Sequence, residues 1–234
     1  MADNHDFGIY LKPTYFIDSD SPATIKYAKA TCHGKSTDID RAIALYYGVR
    51  DDIRYDPYSV EDKRESVRAS SVLKRKAGFC VAKAVLLAAV LRSQKIPARL
   101  GFADVKNHLV TQRLKALMET DLFVYHGYIE VLLNHKWIKA TPAFNLSLCQ
   151  YFNVKPLEFD GIHDSLFHEF DTRGNRHMEY VNDHGTFADL PFDTIYKVFK
   201  HHYPKIFALN VDGDAEAFGR EALDENHLAS DSTA

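Results

Sequence analysis

Cys80 is the residue of this chain best placed for chemistry. It follows Gly78-Phe79 and opens the run CVAKAVLLAAVLRSQ (80–94), which is apolar all round until Arg92 except for Lys83. A helix of that composition is buried centrally, with Cys80 at its N-terminus. Free backbone N–H groups and the positive end of the helix dipole there favour thiolate over thiol. The N–H of Cys80 is also available to an oxyanion. Lys74, Arg75, Lys76 and Lys83 add positive charge nearby in the sequence. A free cysteine is also commonly just a small buried hydrophobe, and placement alone does not choose between the two. Cys32 and Cys149 lack such a setting and are expected to be structural.

The partner candidate is His126, within LFVYHGYIEVLL (122–133). This run is rich in β-branched and aromatic residues and predicts a strand. Alternation puts His126, Tyr128 and Glu130 on one face. Asn134-His135-Lys136 offers a turn into a second strand, Trp137–Ala140, which Pro142 ends. A histidine among apolar residues is more often core than catalyst. A cysteine helix followed by a histidine strand is nevertheless one way to assemble a nucleophile and its base.

Other elements must hold these two in place. Ser21-Pro22 predicts a helix start with a cap and a proline in the first turn. Thr37-Asp38 opens a second helix, with Ile39, Ala42, Ile43, Tyr46 and Val49 at helical spacing. Pro57 ends the segment Ile53–Tyr58. Ala98–Val105 reads as a strand, residues 7–20 as an edge strand or extended arm, and 151–205 as irregular. Helices, a buried helix and then strands make an α+β pattern, with a sheet packed on helices. No internal repeat or Gly/Pro-rich linker divides the chain. It reads as one domain over 1–205, with a core at about 20–145, an extension at 146–205 and a flexible tail at 206–234.

Composition narrows the function. A net charge of −3 without a basic stripe leaves no electrostatic footprint for nucleic acid. The longest apolar stretch, near Val81–Leu91, falls short of the ~20 residues that cross a bilayer. The N-terminus has no basic-then-apolar leader. Three widely spaced cysteines without C-x-x-C fit reduced thiols in a cytoplasmic protein. Asp160, His163, Asp164, His168, Asp171, His177 and Glu179 crowd a region of metal-ligand types, but without a recognised ligand spacing they read as a polar loop network. No cofactor or metal is expected. Asn107 and His108 read as a turn cap or as part of a cleft.

Three stretches resemble the transglutaminase-like superfamily. Val49–Pro57 (VRDDIRYDP) is similar to the family's segment before its catalytic cysteine. Lys76–Arg99 (KAGFCVAKAVLLAAVLRSQKIPAR) resembles its G-x-C-x-x-x-A helix and the following G-I-P-A-R, with Lys95 in place of Gly. His126–Pro142 (HGYIEVLLNHKWIKATP) resembles its H-x-W/Y-x-E-V hairpin and W-x-x-x-D-P turn. The resemblance implies a papain-like fold, a cysteine helix against an antiparallel sheet, with Cys80 as nucleophile and His126 as base. The family's acid falls on Thr141. A threonine can orient a ring nitrogen but carries no charge to stabilise imidazolium. Three readings stay open: Thr141 acts with Asn145, a carboxylate such as Asp160 or Asp164 substitutes, or the pair does other chemistry. The leading expectation is acyl transfer or amide hydrolysis through a thioester, on a small molecule or peptide. The alternatives are lyase or cyclisation chemistry with His126 as base, and a binding module without catalysis.

Overall fold

A computed structural model describes residues 7–108, 110–166, 178–208 and 216–231. In chain order the helices are α1 (Pro22–Thr31), α2 (Asp38–Asp52), α3 (Ala69–Arg75), α4 (Cys80–Ser93), α5 (Gln112–Met118), α6 (Leu146–Tyr151), α7 (Phe192–His202), α8 (Pro204–Ala208) and α9 (Ala217–Asp231). The strands are β1 (Arg54–Tyr55), β2 (Ala77–Gly78), β3 (Ala98–Asn107), β4 (Leu122–Leu133), β5 (Lys136–Ala140) and β6 (Met178–Phe187). The fold is α+β, and the cysteine-bearing helix packs on an antiparallel sheet.

Helix α4 is the centre. Every residue from Val81 to Leu91 is at most 1% exposed, as a run apolar all round but for Lys83 leads one to expect. Helices α1, α2 and α3 pack against it, and so do β3 and β4. Two buried cations within α4 do structural work. Lys83 Nζ donates to the carbonyls of Arg50 and Ile53, capping the C-terminal end of α2. The Arg92 guanidinium reaches the carbonyls of Lys12, Ala98 and Ala188. It thereby ties the N-terminal segment and the chain after β6 to the central helix.

The sheet order is β5-β4-β3-β6, antiparallel throughout. A short parallel pair, β1 with β2, lies apart from it. The Arg54 and Asp56 N–H groups bond Lys76 O and Gly78 O, which fastens the Arg-Tyr-Asp-Pro segment beside the cysteine.

Several expectations change. Residues 7–11 form a 3-10 turn and not a strand, with Phe7 and Tyr10 packed edge-on against Trp137. Within 151–205 the described residues include a strand, β6, and a helix, α7, where none was expected. Strand β6 is an edge strand whose Tyr180 and Val181 are exposed, so no burial pattern advertises it. Helix α7 does carry an apolar rhythm, Phe192, Ile195, Tyr196 and Phe199, all buried. In the stretch read as a tail, α9 buries Phe218 and Ala222, with Phe218 against Tyr55, Tyr58 and Phe152.

The end of α4 places Lys95 at a position that favours glycine. Ile96 N–H bonds Leu91 O and Lys95 N–H bonds Arg92 O, the paired bonds of a Schellman cap. Lys95 sits at its left-handed position with φ 63° and its side chain is exposed. A residue with a Cβ is strained there. Replacing Lys95 with Gly should therefore raise stability by about 0.5–1 kcal/mol, read as a higher urea midpoint with unchanged m-value. A lower midpoint would contradict the assignment.

Candidate functional site

Cys80 is the first residue of α4 and is 6% exposed. Strand β4 meets the helix there. A Cβ on Gly127 would lie 2.8 Å from Val81 Cα, 3.1 Å from Val81 N and 3.3 Å from the Cys80 carbonyl carbon. All three are backbone atoms, so no rotamer change would relieve the contact. The missing side chain lets strand and helix touch.

That contact surrounds the sulfur with the N–H groups of Gly127, Val81 and Cys80, which stabilise its anion. Burial outweighs them and pushes the thiol up to about 11. The expected thiolate-favouring effect of the helix N-terminus is thus real but smaller than desolvation in the resting structure. The nearby basic residues do not compensate. Lys83 turns to α2, and Arg75 bonds the carbonyls of Ala77 and Ser66.

His126 is 3% exposed and lines one pocket with Cys80. Burial lowers its imidazole to about 4, so thiol and imidazole are both neutral at rest. Residue 126 pairs across the sheet with Ala103, and the register shifts just beyond, between Ala103 and Val105. Asp104 occupies that irregularity. Its Oδ1 accepts the N–H of Tyr125 at 2.9 Å and lies 2.7 Å from His184 Nε2. Tyr125 is left-handed, φ 51°, and its ring stacks on His184 at 3.8 Å. This strained residue directly precedes His126, so Asp104 and His184 hold the backbone that aims the imidazole. Nothing in the local sequence marks Asp104, one of three charged residues in a strand that also carries Arg99 and Lys106.

Thr141 stands one residue beyond β5, whose last pair is Ile129 with Ala140. Continuing that register places Thr141 diagonal to His126. Its Oγ1 is buried and makes no hydrogen bond among the described residues. The proposed substitutes for an acid are engaged elsewhere. Asn145 Oδ1 accepts Tyr55 N–H, and its Nδ2 donates to Ser147. Asp160 accepts two backbone N–H groups and faces His163, which holds its carboxyl below the usual range. Asp164 accepts Lys139 N–H. None of the three is bonded to Thr141 or His126 by these contacts.

The remaining candidates disperse. His108 pairs with Glu179. His168, Asp171 and His177 lie outside the described residues, and among the described residues no group of three His, Cys, Asp or Glu could hold a metal. Cys32 and Cys149 are buried free thiols, both raised chiefly by burial. No helix among the described residues is long and apolar enough to cross a membrane. Sequence reasoning missed two tyrosines that line the Cys80 pocket, Tyr55 and Tyr203. The phenols of both are raised by burial first and by the Cys80 charge among the further causes.

A family model for the transglutaminase-like superfamily matches residues 25–142, half of the chain, and spans both Cys80 and His126. The chain belongs to the transglutaminase-like superfamily. Among solved structures, a provisionally named cysteine protease from Cytophaga hutchinsonii is similar at 18% identity, with 80% of this chain and 48% of that one covered and a TM-score of 0.49. A provisionally named protease from Parabacteroides distasonis is similar at 11% identity, with 57% and 26% covered and a TM-score of 0.38. The chain thus spans about half the length of the first and about a quarter of the second. No curated protein matches the sequence.

Within this transglutaminase-like core several motif residues serve the scaffold. Glu130 and Arg99 are cross-strand partners joined by an ion pair at 2.5 Å, and the Arg99 guanidinium lies 4.1 Å from the Trp137 ring centre. Together they stitch β3, β4 and β5. Asp56 caps Tyr58 N–H.

The depressed imidazole has a consequence for stability. The folded state binds this proton less readily than the unfolded chain, so its contribution is present above pH 6.5 and is lost as pH falls towards 4. At about 1.4 kcal/mol per pKa unit the loss comes to about 3 kcal/mol. Denaturant titrations should show wild type losing that much more than His126→Gln between pH 6.5 and 4. Parallel acid profiles would contradict a buried neutral His126.

Proposed function

We propose that this chain is a cysteine-dependent enzyme acting on the carbonyl of an acyl or amide group, with Cys80 as nucleophile and His126 as its base. One observation carries the reading: Cys80 and His126 meet at a single pocket, with the Gly127, Val81 and Cys80 N–H groups around the sulfur. In this mechanism the thiol proton passes to His126 as Sγ attacks the carbonyl carbon, since the resting pair is neutral. The same N–H groups favour negative charge, first on sulfur and then on the tetrahedral oxygen. Collapse gives a thioester and returns the proton to the leaving group. Water then completes hydrolysis, or an amine completes acyl transfer. The substrate is a small molecule or peptide.

Thr141 bears on a second reading. It supplies no charge for the imidazolium, which favours chemistry with His126 as base and no acyl-enzyme, such as a lyase or cyclisation step. Such activity would survive Cys80→Ala but not His126→Ala.

The test uses 4-nitrophenyl butanoate and intact mass, with Cys32 and Cys149 replaced by Ser. An acyl adduct should form on Cys80, vanish in Cys80→Ser, and form roughly 10²–10⁴-fold more slowly in His126→Ala. Absence of the adduct, or a rate indifferent to His126, would sink the acyl reading.

A further inference from the structure

The pocket at Cys80 has a composition that says what enters it. Leu114 and Met118 of α5 form one wall, and Phe199 of α7, Tyr203 at the end of α7 and Ile206 of α8 form the roof. Among the described residues that line it, none is Asp, Glu, Lys or Arg. The roof is fastened to the strand that carries His126: the Tyr203 hydroxyl accepts Val124 N–H at 2.6 Å and donates to Leu122 O at 2.8 Å. The cavity measures about 50 Å³, a few times the ~10–15 Å³ that one water needs.

These dimensions and this lining discriminate among acyl groups. A carboxylate or ammonium carried into the pocket would lose its hydration and gain no counter-charge. An aliphatic chain gains with each methylene buried until the space is filled. Resting on the acyl-enzyme reading above, we propose that Cys80 accepts short, uncharged, aliphatic acyl groups, of roughly three to five carbons for a cavity of this size, and that Met118 and the α7–α8 roof set the length limit. In the step, the Cys80 Sγ–carbonyl bond forms and the bond to the leaving group breaks. The thiol proton travels through His126 to the departing atom.

N-acetylcysteamine thioesters of acetic, butanoic, octanoic and succinic acid test this, read as acyl adducts on Cys80 in the protein with Cys32 and Cys149 replaced by Ser. The rate should rise about fourfold per methylene from acetyl to butanoyl and fall for octanoyl. Succinyl, similar in length to butanoyl but charged, should react at least ~100-fold more slowly. Met118→Ala should move the optimum to a longer chain. Equal rates across the wild-type series would overturn the proposal and leave the acyl-enzyme reading standing. No adduct from any thioester would remove both.

Discussion

The contact between Gly127 and the backbone of Val81 is the constraint on which the rest of the site depends. It brings a strand against the first turn of a buried helix with no side chain between them. From it follow the burial of Cys80, the three N–H groups around its sulfur, and the arrival of residue 126 beside the thiol. Other parts of the fold keep the two elements in register. Lys83 and Arg92 tie α4 to α2, to the N-terminal segment and to the chain after β6. The Arg99–Glu130 pair locks β3 to β4.

The same contact sets the electrostatics. A helix N-terminus favours an anion, but only modestly, while full burial of a thiolate without a cation is more costly. The balance leaves proton on sulfur and none on the imidazole. Position 141 holds a threonine whose hydroxyl is bonded to nothing described, so it adds no charge that would favour a stored thiolate–imidazolium pair. The backbone just before His126 is fixed by a left-handed Tyr125, held by Asp104 and flanked by His184.

Much of this was legible in the residues. The run after Cys80, apolar but for Lys83, points to a central helix, and the 122–133 strand, its turn and its partner follow from β-branched and aromatic composition. Ser21-Pro22 and Thr37-Asp38 announce helix starts that the structure places there. What stayed hidden depends on contacts distant in sequence. Strand β6 is polar and lies at an edge, so neither face is written in apolar residues. Helix α9 holds on through Phe218 and through Glu221 and Glu225, which accept from Tyr58, Thr111, Arg113 and the Gln112 N–H. The roof of the pocket comes from α7 and α8, more than a hundred residues after Cys80 in the sequence. The rise in the Cys80 pKa could not be read locally either, because the burial that causes it is supplied by those remote helices and by β4.

The most direct test of this account is the pH dependence of Cys80 alkylation by iodoacetamide, in protein with Cys32 and Cys149 replaced by Ser, with and without His126→Ala. A buried thiol with a pKa of about 11 requires the wild-type rate to climb about tenfold per pH unit between pH 7 and 10, with no low-pH plateau. A rate that is flat below pH 8 and collapses when His126 is removed would reveal a preformed thiolate–imidazolium pair and contradict the neutral resting site.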